Sequence, residues 1–357
     1  MEKNKIALVT YSLSSGGLER VAANSTFLFE EMGFEVHLYV LESKNDYPFK
    51  GKLHQYTIDQ LGFFSKIKTY LNIKKSIKEN NFTLVIDHRY RLNWITEFIW
   101  QKLIYRKQKV FNYIHSSKIS NYLFHSDKLN QLLFKNRLFI CVSLGIEQKV
   151  KRQFPFLNTQ TIYNFVDFKD SEKREIQPEK YILSIARMDQ ENVKQVDILL
   201  ECYAKSILPN NKIRLTILGD GVRLKEMKTL AKELNVLELV DFKGFEPYPE
   251  SYLKNALFTV LTSKYEGLPT VLVESLLMET PVISFDCETG PNEIIIDRLN
   301  GLLIENQNKE KMIAGMNELV FNEELYNFLK QNSLTSVNKF RIDSIKEKWE
   351  KVINDTP

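Results

Sequence analysis

Two kinds of segment alternate along the chain. Short runs of Val, Ile, Leu and Phe read as buried strands. Longer stretches with an apolar residue every three or four positions read as helices. KIALVTYSL (5–13) is the first strand. After Gly16 and Gly17, residues Leu18, Val21, Ala22, Ser25, Leu28 and Phe29 recur at helical spacing, and Gly33 ends the helix. EVHLYVLE (35–42) is the next strand. A helix over 63–80 carries Phe64, Ile67, Leu71 and Ile77 on one side, with Lys66, Lys68, Lys74, Lys75 and Lys78 elsewhere. Strands at 83–88 and 109–117 flank a helix at 89–105. Residues 138–154 give a strand, then Ser143, then a helix, and 161–168 is a short strand.

KDSEKREIQPEK (169–180) is polar, charged and aperiodic, which marks a linker. The pattern then restarts. Strands are predicted at 181–189, 212–221 and 240–245, and helices over 193–207 and 222–234. LFTVLTS and TPVISFD are strands flanking YEGLPTVLVESLLME (265–279), which reads as a Gly-Pro loop and a helix. Pro269 suits the first helical turn because it lacks an N–H that has no partner there. CETGPNEII (287–295) is a second Gly-Pro loop opening a short helix. Two helices run through 309–339 and a last one follows from Phe340. Strand–helix alternation run twice predicts an α/β protein of two Rossmann-like, doubly wound domains. The expected domains are 1–168 and 181–339, with a C-terminal segment 340–357.

A chain of 357 residues suits two domains, and 43% hydrophobic residues supply two cores. No apolar run reaches the roughly 18 residues of a membrane span, and no signal peptide is read at the N-terminus. Cys141, Cys202 and Cys287 are scattered in apolar contexts without metal-ligand spacing, which predicts reduced thiols and a cytoplasmic location. The net charge of +4 divides unevenly: +10 over residues 1–170 and −6 over the remainder. A basic first half invites an anionic partner, although basic surface is also simply solubilising. The Lys-rich helix at 63–80 ordinarily packs on its own sheet; it also suits an anionic lipid surface.

In the second half the polar candidates each follow a predicted strand: Arg187 and Lys194, Asp220 and Gly221, Glu246 and Tyr248, Ser263 and Glu266, Thr289 and Gly290. All fall on the strand C-terminal edge, where such folds bind ligands. The helix after Pro269 presents free amides and a positive dipole end, an anion site. Glu274, in its first turns, suits hydroxyls. An Arg fork, a Lys point charge, helix amides and a carboxylate together describe a nucleoside diphosphate site. Such a site needs no divalent ion. Singly, each cation is more often a solvated surface charge. In the first half, Gly16 and Gly17 permit close backbone approach, and His88 and His115 end predicted strands. The absence of a Walker sequence disfavours a P-loop ATPase, and the absence of G-x-G-x-x-G disfavours a nicotinamide oxidoreductase.

SSGGLER, TIYNFVD, ARMDQENVK, ILGDG, KGFEPYP and SKYEGLPTVLVESLLMETPVISFDCETGPNEI resemble the GT-B glycosyltransferases, most closely family 4. The resemblance covers nearly the full length. It implies two domains facing a central cleft and a retaining transfer from a nucleotide-sugar. It places Glu266 against the donor sugar, Glu274 on the ribose, and Arg187 and Lys194 on the diphosphate. Gly267, Leu268, Pro269, Thr270, Gly221 and Phe245 complete the donor site. Gly16 and Gly17 form the glycine loop that closes over the donor phosphates, and His115 is the first-domain histidine. The last helix crosses back to the first domain. There are departures. The interval from Arg187 to Lys194 is longer than in many members, Asn192 and Val193 look like an insertion, and Ala186 stands where Gly is common.

The resemblance implies an acceptor hydroxyl on a lipid-linked glycan or cell-surface polysaccharide precursor. It implies no cofactor, no metal and no nucleic acid, with peripheral contact at the inner face of the cell membrane. A nucleotide-sugar epimerase of the same fold and a non-catalytic sugar-nucleotide-binding subunit are the alternatives.

Overall fold

The computed structural model describes residues 4–14, 16–58, 60–166 and 179–356. The chain divides into two compact units. One comprises Met1–Asn164 with Ile345–Pro357, the other Phe165–Ser344. The expected linker at 169–180 falls almost wholly outside the described residues.

The first unit is built on strands β1 (Lys5–Thr10), β2 (Glu35–Val40), β3 (Lys52–Gln55), β4 (Leu84–Asp87), β5 (Val110–Ile114), β6 (Leu138–Cys141) and β7 (Asn158–Thr161). They lie in the order β3-β2-β1-β4-β5-β6-β7, all parallel. β1 lies between β2 and β4, with Ile6 opposite both Val36 and Leu84. The chain order reverses there, which is the doubly wound topology. The second unit contains β8 (Tyr181–Ile185), β9 (Arg214–Leu218), β10 (Val240–Gly244), β11 (Thr259–Leu261), β12 (Val282–Phe285) and β13 (Gly301–Ile304). Their order is β10-β9-β8-β11-β12-β13, again all parallel.

Each sheet carries its own core. In the first unit Ala7, Val9, Tyr39 and Val85 pack with Ile73, Ile77, Trp100 and Ile104. In the second, Leu199, Leu200 and Tyr203 pack with Leu215, Ile217, Ile283, Met312 and Met316. The helix Ile342–Asp355 puts Trp349 among Phe29, Phe111 and Tyr113, all in the first unit. Lys109 donates to the carbonyl of Ile353 at 2.9 Å, fixing the end of that helix.

Several elements differ from the expectation. The helix expected over 89–105 begins only at Trp94, where the Asn93 side chain accepts from the amides of Ile95 and Thr96. From Ile99 to Ile104 it widens into a π-helix. Residues 89–93 stay extended because Arg89 and Arg91 turn inward to a buried ion network. Arg89 contacts Asp87 at 2.6 Å and Glu97 at 3.4 Å, and Arg91 contacts Glu97 at 3.6 Å. Arg91 also donates to the carbonyls of Asp87 and Tyr113 and to Asn112. The last strand of the first sheet is Asn158–Thr161 rather than 161–168. Its partner β6 ends at Cys141 and the chain then enters the Ser143 cap, so no ladder remains beyond Ile162. Positions 167 and 168 lie outside the described residues.

Strands Lys52–Gln55 and Gly301–Ile304 occupy sheet edges, and short helices form at Asp127–Phe134 and Glu250–Asn255. None of these four has a repeat long enough to stand out. Over Phe63–Asn80, Ile77 is buried together with Ile73 and Tyr70, whereas Phe64, Ile67 and Leu71 face solvent. The sheet takes the face marked by residues 70, 73 and 77. Cys141, Cys202 and Cys287 are all free thiols and buried. No helix of the described residues is long and apolar enough to cross a membrane.

Candidate active site

Because every strand of the second sheet runs the same way, the turns after β8, β9, β10, β11 and β12 share one edge. Two of these turns touch through glycine. Gly219 and Gly221 have φ of +131° and +155°, and a Cβ on either would stand 2.2 Å from the carbonyl oxygens of Ala186 and Met188 respectively. Met188 donates to the carbonyl of Asp220 and accepts from the amide of Arg223. The turns bearing Arg187 and Gly221 are therefore clamped backbone to backbone. A third turn joins at β11. Thr262 Oγ1 donates to the carbonyls of Lys194 and Gln195 at 3.0 and 3.1 Å, and the Lys264 amide donates to Val193.

These contacts place the Lys194 ammonium 2.5 Å from Glu266 Oε1, with both side chains partly buried. Asn192 and Val193 lie in the turn that carries Lys194 there. Asn192 (φ +52°) and Gln195 (φ +47°) adopt left-handed conformations, and the Asn192 amide clasps both carboxylate oxygens of Asp197 at 2.9 and 2.8 Å. Tyr265 adds a bond to Glu191 at 2.9 Å. The interval from Arg187 to Lys194 thus folds into a tight turn that delivers the amine to the Glu266 carboxylate. Arg187 is more exposed; its guanidinium rests on Asp189 Oδ2 at 3.1 Å.

Beyond Glu266, Gly267, Leu268 and Pro269 lead into the helix Thr270–Leu277. Pro269 stands at the N-cap, one place before its expected position in the first turn. Leu272 donates its amide to the Pro269 carbonyl at 3.0 Å, whereas the amides of Thr270 and Val271 stand too early in the helix for an i−4 partner within it. Thr289 Oγ1 donates to the Glu266 carbonyl at 2.7 Å, and Gly290 (φ +98°) approaches so closely that a Cβ would lie 2.6 Å from the Pro269 ring. The two Gly-Pro loops therefore brace each other. Glu274 is buried, at 3% exposure, one turn inside the helix. Burial pushes the Cys287 thiol up to about 12, with Glu266 adding to the shift, so it is a neutral neighbour of the ion pair. Phe245, after β10, is exposed and follows Gly244 at φ +78°.

Two buried polar atoms at the edge have no hydrogen-bond partner among the described residues: Ser263 Oγ and Asp286 Oδ1. Burial raises the Asp286 carboxyl above its usual range. Buried groups of this kind call for a ligand or solvent partner. Asp286 had no signal in the sequence beyond ending a strand. Asp189 and Asp197, which hold Arg187 and the Asn192 turn, were equally unmarked. No group of three or more His, Cys, Asp or Glu with metal-binding geometry occurs among the described residues.

The remaining candidates lie in the first unit. Gly16 is the N-cap of the helix Gly17–Glu31, with no side-chain cap bond. The Glu19 carboxylate folds back over it, occupying the place a Cβ would take. His88 and His115 end β4 and β5 as a stacked pair on Tyr113, with His88 Nδ1 and His115 Nε2 3.1 Å apart. Burial holds the His88 pKa at about 3 and pushes that of His115 well below the usual range. Both rings are neutral near pH 7, and His88 Nε2 and His115 Nδ1 have no hydrogen-bond partner among the described residues.

Two parallel-sheet α/β domains, with cations and a helix N-terminus at one sheet edge, are the architecture of the GT-B glycosyltransferases. Residues 166–335 match the family model described as glycosyl transferases group 1. Over 206 residues the chain is 31% identical to a poly(ribitol-phosphate) alpha-N-acetylglucosaminyltransferase of Staphylococcus aureus; this match covers 57% of the chain and 41% of that relative. Over 354 residues it is 26% identical to a Campylobacter jejuni transferase, matching 94% of the chain and 95% of the relative. That protein is the N-acetylgalactosamine-N,N'-diacetylbacillosaminyl-diphospho-undecaprenol 4-alpha-N-acetylgalactosaminyltransferase. The fold matches Staphylococcus aureus TarM, solved with fondaparinux, alpha-GlcNAc-glycerol and UDP, at a TM-score of 0.79 and 16% identity, over 99% of this chain and all of that one. Together the family model and the relatives support a glycosyltransferase.

Proposed function

We propose that the protein is a retaining, metal-independent glycosyltransferase of family 4. It moves a sugar from a nucleotide-sugar to a hydroxyl of a lipid-linked glycan or cell-surface polysaccharide precursor. The observation that carries this reading is the Lys194–Glu266 pair, set beside the N-terminus of the helix Thr270–Leu277. Glu266 orients donor-sugar hydroxyls. Lys194, already fixed beside it, meets the negative charge that grows on the leaving diphosphate. Arg187 and the amides around residues 267–271, Pro269 excepted because it has no N–H, share that charge, a preorganised electrostatic contribution to the transition state. Glu274 accepts from the ribose hydroxyls. Gly221 and Phe245 line the nucleotide side, and Gly16 and Gly17 supply backbone approach to the phosphates. His115, a neutral ring nitrogen donor or acceptor, serves a sugar hydroxyl. No cofactor enters these steps.

The acceptor class rests on the relatives, one named for a poly(ribitol-phosphate) and one for a diphospho-undecaprenol substrate. The proposed location is cytoplasmic, at the inner face of the cell membrane. The test is a thermal-shift panel of nucleoside diphosphates and nucleotide-sugars against the wild type and Glu274→Ala. A ligand at a hundredfold excess over its dissociation constant stabilises the native state by about 2.7 kcal/mol. A shift with one base, lost in the variant, is expected. No shift with any of them sinks the donor-site assignment. Donor incubated without acceptor must also keep its sugar unchanged; conversion to an epimer would favour the epimerase alternative.

A further inference from the structure

His88 and His115 follow β4 and β5 and share one hydrogen bond. Their ring centroids are 5.2 Å apart and their planes differ by 24°, with His88 Nδ1 and His115 Nε2 at 3.1 Å. At that separation the rings meet edge to edge, in nearly one plane. Both lie on the face of Tyr113, with centroids 4.4 and 4.8 Å from it and planes tilted by 16° and 9°. Tyr113 is buried, so it serves as a fixed platform that aligns the two edges.

A neutral imidazole has one N–H and one bare nitrogen. The inner contact therefore holds one hydrogen between two nitrogens, and its place settles both outer ones. With the hydrogen on His88 Nδ1, His88 Nε2 is bare and His115 Nδ1 carries a hydrogen. With it on His115 Nε2, His88 Nε2 carries a hydrogen and His115 Nδ1 is bare. The pair thus ends in one donor and one acceptor, and each ring fixes the role of the other. Neither outer nitrogen has a partner among the described residues. Burial separates the two states. His88 is fully buried, whereas His115 is partly exposed. Orphaned buried N–H groups are rarer than unfilled acceptors. The bare nitrogen therefore belongs at His88 Nε2 and the hydrogen at His115 Nδ1, on the ring that an incoming group can reach.

We propose that His88 is a positioning residue: donating from Nδ1 to His115 Nε2, it fixes His115 as a hydrogen donor at Nδ1, and that donor meets a hydroxyl oxygen of the donor sugar. His88 touches no substrate and acts through its neighbour alone. Without it, His115 would return toward the Nε2–H form that free histidine prefers, and the outer nitrogen would meet the same oxygen with a lone pair. The proposal deepens the reading of a nucleotide-sugar donor and rests on it.

Nitrogen-15 shifts and long-range proton couplings report histidine tautomers in the full chain, labelled at its five histidines. Signals lost in His88→Phe and in His115→Phe assign the two rings. Without any ligand, wild-type His115 is expected in the Nδ1–H form. His88→Phe keeps a ring on Tyr113 and removes the partner, so His115 should turn over to Nε2–H. His88→Asn sets an amide N–H near the place of Nδ1 and should keep His115 as Nδ1–H. With the nucleotide-sugar selected by the thermal-shift panel, kcat/KM should fall on the order of tenfold to a hundredfold in His88→Phe, the scale for partners that orient a ligating histidine. His88→Asn should recover most of it. The matching nucleoside diphosphate, which lacks the sugar, should shift the melting temperature equally in wild type and both variants. Wild-type His115 found as Nε2–H overturns the proposal. So does a tautomer that His88→Phe leaves unchanged, or a rate loss that His88→Asn shares in full. Should His88→Phe fail to fold, the wild-type tautomer and His88→Asn still decide. The donor reading fails separately: an Nδ1–H His115 that responds to His88, with no nucleotide shift, leaves the coupling standing and removes the sugar as its target.

Discussion

Lys194 and Glu266 are 72 positions apart in sequence and 2.5 Å apart in space. A charge-assisted contact of that length should couple strongly in a double-mutant cycle. Lys194→Ala is expected to lower kcat/KM on the order of a hundredfold to a thousandfold, as for loss of one preorganised donor. Glu266→Gln should lower it too, and the double variant should lose less than the product of the two. Additive losses, read by initial rates, would show that the residues act separately. Gly221→Ala tests the clamp between turns. With φ +155° and Met188 O at 2.2 Å, the variant should lose more than about 1 kcal/mol in denaturant unfolding. The His88–His115 pair gives a pH signature. Burial, partly opposed by Asp87, holds His88 at about 3. The unfolded chain binds that proton near pH 6.5, so the native state loses stability as pH falls from there toward 3, by up to about 1.4 kcal/mol per pH unit for one site. His88→Gln should flatten the stability curve across that window. An unchanged slope would mean that His88 does not set it, leaving His115, which burial also holds low, and the carboxylates.

At the scale of elements, the strand–helix units were legible wherever apolar repeats ran long. The strands beside the Gly-Pro loop and the extent of Phe63–Asn80 follow from their patterns, although of that helix's expected face, Phe64, Ile67, Leu71 and Ile77, only Ile77 is buried. Four-residue edge strands such as Lys52–Gln55 carry too few positions to show a period. Helix 89–105 was misjudged at its start because Arg89 and Arg91 are polar by type and buried in fact. Their network is net neutral, two arginines against Asp87 and Glu97. Glu97→Ala should destabilise the first unit by about 3–5 kcal/mol, since it leaves buried charge uncompensated. Circular dichroism melts would register this; a loss below 1 kcal/mol, as at about the level of an exposed pair, would show the network to be hydrated. The C-terminal helix makes a comparable demand. Trp349→Ala should cost about 3–5 kcal/mol, because Trp349 is 1% exposed among Phe29, Phe111 and Tyr113.

For the whole molecule, two separate cores allow two unfolding transitions. A nucleoside diphosphate should raise the transition of the unit Phe165–Ser344, since Arg187, Lys194, Glu266 and Glu274 all belong to it. A shift confined to the other transition would relocate the donor site. Transfer should survive exhaustive chelation with EDTA, because the proposed charge stabilisation comes from side chains and amides. Loss of activity restored by a divalent cation would overturn that part of the mechanism.

The sequence by itself determined the class of fold and the edge that gathers the candidate site residues. Strand direction follows from strand–helix alternation, and in a parallel sheet every strand C-terminus lands on one side. Residues that follow strands are then grouped without knowing any distance. The tertiary structure alone decided three things. It placed the Lys194 amine on Glu266, because the path of residues 188–195 depends on glycine and Asx contacts that periodicity does not encode. It joined His88 to His115, because pairing across adjacent strands needs register. It also turned Trp94, Ile95 and Phe98 outward, because a buried ion network outweighed the hydrophobic pattern that sequence reading relies on.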